Sequence, residues 1–148
     1  MKNTTGKVLK LYITKDDANK TRLSKESVTV DEKGVQEDKF YAKDAQRSIL
    51  ITTQESYDLA QANNITIDSG VLGENILIDI NPYALLPGQR LTIGNALLEI
   101  TQNCTLCKGL TSINSKLPKL LKDDRGIFAK ALNEATISLG SEVKILDN

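Results

Sequence analysis

The stretch Arg90–Leu110, RLTIGNALLEITQNCTLCKGL, decides how the rest of the chain is read. It opens with two short apolar runs, Arg90–Ile93 and Ala96–Thr101, on either side of Gly94-Asn95. Glycine accepts the positive φ that a tight turn needs, so the pattern predicts a β-hairpin. The second arm then runs through Gln102 into Cys104 and Cys107, the two cysteines of the chain. A thiol pair is thus delivered where a strand leaves its sheet. No other segment sets a strong nucleophile or soft metal ligand at a defined position.

The flanking sequence supports a β-rich chain. Lys7–Thr14, KVLKLYIT, alternates well enough for a strand with one buried face. Lys15–Ser27 is charged and without period, and reads as a solvated loop. Ser27–Val30 is a short β-branched segment, and Asp31–Gly34, DEKG, has turn chemistry. Arg47–Thr53, RSILITT, is the most apolar β-branched run and the best central strand. Ser56–Asn63 has helical composition, with Thr53 placed to cap it. Val71–Ile80, VLGENILIDI, turns at Gly73 and continues as alternating Ile76, Ile78 and Ile80, until Asn81-Pro82 stops it. Lys116–Lys122 is a short helix or loop, and Ile127–Leu132 a short apolar segment. Thr136–Leu139 and Glu142–Leu146, around Gly140, read as a closing hairpin. About seven or eight short strands with one or two short helices predict a mainly β barrel or sandwich rather than a wound βαβ sheet. The length of 148 residues predicts a single domain over residues 1–148.

Composition narrows the function. Lysine and arginine number 19 and aspartate and glutamate 19, so zero net charge argues against nucleic acid or an anionic membrane as a bulk partner. No apolar run approaches the roughly 18–20 residues that span a bilayer, and Met1–Tyr12 lacks a signal-peptide pattern. A cytoplasmic location is expected, where two cysteines stay reduced. Histidine is absent, which removes the commonest general base and metal ligand. One C-x-x-C cannot fill a four-ligand zinc site by itself. A thioredoxin-like role would need the motif at a helix N-terminus in an α/β frame. A homodimer could still pool four thiolates; otherwise the pair is a reactive thiol, or one buried small hydrophobe beside an incidental thiol.

Three other features stand out. Gly73-Glu74-Asn75 can turn backbone N–H groups, an acid and an amide into a pocket. Arg47 heads the apolar strand, and Arg125 sits in the turn Asp123–Gly126. Both can offer a forked donor to phosphate or carboxylate. Taken singly, each also has an ordinary reading, as a polar turn or an arginine capping a sheet edge.

Together, these pieces resemble the MOSC domain, which is found at the C-terminus of eukaryotic molybdenum-cofactor sulfurases and as stand-alone bacterial proteins. The resemblance rests on Gly34-Val35-Gln36-Glu37-Asp38-Lys39, Gln46–Ile51, Leu72-Gly73-Glu74-Asn75-Ile76, the hairpin up to Thr101-Gln102, Arg125–Ala129 and Leu139–Val143. The family cysteine lies about five residues after the Gln of T-Q. That position is Cys107, and Cys104 is an extra. The resemblance implies a barrel-like β fold and binding of the molybdenum cofactor (molybdopterin), a pterin dithiolene with a terminal phosphate. It implies Cys107 as catalytic residue and molybdenum ligand, with Arg47 and Arg125 on the phosphate and Glu74, Asn75 and Gln102 in the cofactor site. Glu74 and Asn75 would either hydrogen-bond the pterin edge or fix their loop. The implied activity is an oxidoreductase acting on N-hydroxylated compounds with a separate redox partner. The alternatives are a sulfur carrier charged as a persulfide by a cysteine desulfurase, and a non-catalytic cofactor binder. Pyridoxal phosphate enters only through a partner sulfurase, whose aminotransferase-like domain holds it. Two positions depart from the family loop, which often reads G-[VIL]-x-G-D-x-H. Glu37 replaces its second glycine and Phe40 its histidine.

Overall fold

The computed structural model describes residues 4–104 and 110–146. Its centre is a closed ring of seven strands. In ring order these are β1 (Thr5–Thr14), β6 (Ile76–Ile78), β5 (Ile49–Thr53), β9 (Ile127–Ala131), β8 (Ala96–Asn103), β7 (Arg90–Ile93) and β11 (Glu142–Ile145), and β11 pairs back onto β1. An eighth strand, β2 (Arg22–Lys25), adds to β1 from outside the ring. A second, three-stranded sheet runs β10 (Ala135–Ser138), β3 (Ser27–Asp31), β4 (Gly34–Val35). The fold is mainly β, as the sequence predicts, and closure leaves the ring without a bare edge.

The barrel interior is aliphatic. Val8, Leu11, Ile49, Ile51, Ile76, Ile78, Leu91, Ile93, Leu98, Ile100, Ile127 and Ala129 belong to one buried cluster. Because side chains alternate across a strand, the same strands turn Leu50, Thr52, Leu77 and Phe128 to the outer face. That face is buried too. α1 (Gln54–Ala62) and the short α2 (Leu110–Ile113) and α3 (Leu117–Leu120) cover it through a second cluster that includes Tyr57, Ala60, Leu72, Leu77, Leu110, Leu117 and Leu121. All five residues of β5 are buried as a result. Among the described residues no helix is long and apolar enough to cross a membrane.

Several local expectations hold and others are corrected. The β7–β8 hairpin forms with Ile93 opposite Ala96, and Gly94 has φ of +58°. β1 and β3 fall where their alternation puts them. Ile127–Ala131 is a strand. The loop expected over Lys15–Ser27 contains β2. Arg47 does not begin the central strand; it ends a 3-10 turn, Ala45–Arg47, and β5 starts two residues later. The closing hairpin does not form. β10 pairs with β3 while β11 pairs with β1 and β7, so the turn at Gly140 passes the chain from one sheet to the other. β5 and β6 are parallel, and both faces of β6 are covered, Ile76 and Ile78 by the barrel core and Leu77 by the helix cluster, which explains three buried residues in a row. Thr53 takes the N-cap position of α1 but makes no side-chain cap. The Tyr83 hydroxyl lies there instead, accepting from Thr53 N at 2.9 Å.

Glu37 shows why a glycine suits its place in the loop. Its φ is +71°, in the left-handed region that penalises a Cβ. Its side chain is exposed, whereas the next residue, Asp38, is 5% exposed and accepts from Thr14 N at 2.7 Å. Glu37→Gly is therefore expected to stabilise the fold by up to about 1 kcal/mol, read as a higher urea midpoint with unchanged slope. A lower midpoint would contradict the strain.

Candidate functional site

The sequence-predicted residues that are described, Arg47, Glu74, Asn75, Gln102 and Arg125, lie along the outer wall of the barrel, in two groups. The first surrounds the end of β8. Leu50, Cys104 and Phe128 form a small apolar cluster outside the ring. Cys104 is 3% exposed, and its backbone N–H donates to the Gly126 carbonyl at 3.0 Å. Just before it the β8–β9 register slips between Ile100 and Gln102, the mark of a β-bulge. The irregular turn at Ala45–Arg47 fastens this bulge. Thr101 Oγ1 donates to the Gln46 carbonyl at 2.6 Å, and Gln102 Nε2 reaches the same oxygen at 3.4 Å. Arg47 follows Gln46, and its guanidinium carbon lies 5.5 Å from the centroid of the Phe128 ring. Arg47, Gln102 and Cys104 are thereby gathered at one end of β8.

The second group surrounds the loop Gly70–Asn75. Glu74 is fully buried. Its Oε2 accepts from the hydroxyls of Tyr57 and Thr52 and, at 3.3 Å, from Gly70 N. Its Oε1 has no hydrogen bond among the described residues, and the Arg22 guanidinium stands 4.0 Å away. Burial, with the Glu74 carboxylate beside it, pushes the Tyr57 phenol above its ordinary range. Tyr57 is thus a fixed donor at neutral pH.

Asn75 acts as a splice between strands. Its Oδ1 accepts from Leu50 N at 3.0 Å and its Nδ2 donates to the Tyr12 carbonyl at 3.3 Å. Its own N–H donates to Leu50 O at 2.9 Å, and its carbonyl accepts from Tyr12 N at 2.8 Å. The side chains of Glu74 and Asn75 are thus engaged with the protein itself. Arg125 touches the same loop, its Nη2 donating to the Leu72 carbonyl at 3.3 Å. Its Nε and Nη1 are buried and have no partner among the described residues.

Gly126 joins the two groups. A Cβ there would lie 2.9 Å from Leu50 Cδ1 and 3.2 Å from the Ile51 carbonyl oxygen, so glycine lets the start of β9 approach β5. Arg125 precedes it on the loop side, and Phe128 follows beneath Arg47. Cys107 lies outside the described residues. The described residues nearest it in sequence are Cys104, in the first group, and Leu110, which is buried in the cluster with Tyr57 and Leu72. The two ends of the cysteine segment are thus anchored one in each group.

Little in the sequence points to Arg22, which makes three hydrogen bonds around this loop from within an aperiodic charged stretch. Its only local sign is Leu23 between polar neighbours, and Leu23 packs on the barrel core. Among the described residues no three His, Cys, Asp or Glu side chains gather as a metal cage. Two surface clefts, of about 340 and 410 Å³, lie against β3, and among the described residues they involve none of Arg47, Glu74, Asn75, Gln102 and Arg125.

Comparison with known proteins bears on both fold and family. No curated protein sequence matches significantly. Solved structures do match. The YUAD protein from Bacillus subtilis superposes with a TM-score of 0.82 at 18% identity, covering 94% of each chain. YiiM from Geobacillus stearothermophilus gives 0.71 at 16% identity, over 96% of this chain and 75% of that one. YiiM from Escherichia coli gives 0.67 at 16% identity, over 96% and 70%. At such identity these likenesses establish the fold alone. The family follows from sequence: residues 26–144 match the MOSC domain model, and the chain belongs to the MOSC domain family.

Proposed function

We propose that this MOSC protein binds the molybdenum cofactor, with the Cys107 thiolate as the protein's ligand to molybdenum. The observation that carries this is Arg125. A guanidinium with two buried nitrogens unpartnered among the described residues is costly unless an acceptor arrives from outside them. The terminal phosphate of the cofactor is such an acceptor, so the residues present fit it. Arg47, held on Phe128, offers a second cation at the other end of the site. Glu74 and Asn75 fit the role of fixing the loop better than that of touching the pterin, given their internal partners. Gln102 holds the end of β8 against Gln46. When bound, the cofactor supplies redox chemistry and a metal centre that accepts a thiolate. The activity that fits is reduction of N-hydroxylated compounds, with electrons from a separate redox protein.

A second reading is sulfur transfer. Cys104 supports it through its spacing alone, as a second thiol three residues before Cys107 that could resolve a persulfide; its burial works against ready attack. Cys107 would then receive sulfur from a cysteine desulfurase, and pyridoxal phosphate would belong to that partner.

Elemental and pterin analysis of wild type and Cys107→Ser, purified from a cofactor-making host, tests the first reading. Molybdenum near one per chain, lost in the variant, is the expected result. Its absence from both would sink cofactor binding. A sulfur-atom mass gain on Cys107 after incubation with a desulfurase would then favour transfer.

A further inference from the structure

We infer that Arg22, on the strand added outside the barrel, is a positioning residue that sets the Arg125 guanidinium through the loop Gly70–Asn75. The inference rests on the reading that Arg125 holds an anion of the bound cofactor. Arg22 Nη2 donates to two carbonyls of the loop, Gly70 at 2.9 Å and Glu74 at 2.7 Å. Its Nη1 donates to Thr14 Oγ1 at 3.0 Å, which ties the clamp to β1. Its guanidinium carbon also lies 5.1 Å from the centroid of the Tyr12 ring, and the Tyr12 hydroxyl is 2.8 Å from Ser69 Oγ. Between the two clamped carbonyls stands Leu72, fully buried, whose own carbonyl receives Arg125 Nη2. The Gly70 carbonyl that Arg22 holds also accepts from Gly73 N at 3.1 Å. Arg22 therefore fixes both ends of a short loop whose middle orients Arg125.

The chemistry requires arginine. A planar fork can serve two carbonyls and a hydroxyl while its face stays on an aromatic ring, and an ammonium cannot keep that geometry. The positive charge also stands near Oε1 of Glu74, which supports a fully buried carboxylate at the centre of the loop. Tyr57 on α1 and the bonds from Asn75 to β5 hold the loop as well, so loss of Arg22 frees the Gly70–Glu74 side without dissolving the whole.

The test is nitrogen-15 NMR of the Arg125 Nε–H, assigned with Arg125→Lys, together with amide hydrogen exchange. Both are recorded on wild type, Arg22→Ala and Arg22→Lys. In Arg22→Ala, the Arg125 Nε–H should shift, and the Gly73 amide should exchange about tenfold faster or more, the scale of a lost charge-assisted hydrogen bond. The β7–β8 amides should stay as in wild type. Arg22→Lys should show the same change at reduced size, and it carries the test if the alanine variant does not fold. An Arg125 resonance that is unmoved, or that changes only when the β7–β8 amides also lose protection, would overturn the inference. Molybdenum content of the same proteins separates the two readings. A moved Arg125 signal in a chain that never holds molybdenum keeps the positioning role and removes the cofactor reading. Full molybdenum loading with an unmoved signal does the reverse.

Discussion

Glu74→Ala is expected to cost about 3–5 kcal/mol of unfolding free energy, while Glu74→Gln is expected to cost less, about 1–3 kcal/mol. The difference follows from how the carboxylate is used. Oε2 takes three donors, from Tyr57, Thr52 and Gly70, whereas Oε1 takes none among the described residues. Alanine strips all three donors of their acceptor in a fully buried place and leaves a cavity. Glutamine can set its carbonyl oxygen where Oε2 was and its NH2 where Oε1 was. All three bonds then survive, but the attraction to Arg22 at 4.0 Å is lost and the NH2 faces that guanidinium with no acceptor among the described residues. Urea unfolding of the two variants measures both costs. Equal costs would mean that the negative charge, rather than the acceptor at Oε2, is what the loop needs.

Asn75→Ala is expected to cost about 2–4 kcal/mol, from two buried backbone groups left unpaired. These are Leu50 N and the Tyr12 carbonyl, on two different strands. Asn75→Asp is nearly isosteric, yet it should destabilise at least as much. An aspartate can still accept from Leu50 N, but it has no donor for the Tyr12 carbonyl. It would also place a carboxylate oxygen against that carbonyl at a position only 5% exposed. If Asn75→Asp proved close to wild type in urea, the amide would not be the donor to Tyr12. Because β5 also carries Leu50 into the cluster with Cys104, the alanine variant should disturb the cysteine end of the site as well.

What is local in this protein is legible in its sequence. Hairpin β7–β8 shows because its two arms are adjacent in the chain, and glycine marks the turn between them. The helix Gln54–Ala62 and the strands β1 and β3 show in composition and alternation, whereas Ile127–Ala131 reads only as an apolar segment until the chain folds and β5 and β8 pair with it. The order of the G-E-N, T-Q and R-G blocks resembles the MOSC family, and the family model confirms that membership. What is long-range waits for the chain to fold. β11 closes the ring on β1, and β10 leaves for another sheet, although the two are separated by only three residues. A turn residue cannot tell whether its two arms will pair with each other, since each arm is claimed by strands far away in sequence. The helices packed outside the barrel likewise cover Leu77 on the outer face of β6, a face that alternation alone would leave exposed. Arg22 reaches the Glu74 carbonyl across 52 residues. No periodicity records such a contact, because its stabilisation arises only once closure of the barrel and the added strand have brought the two segments together.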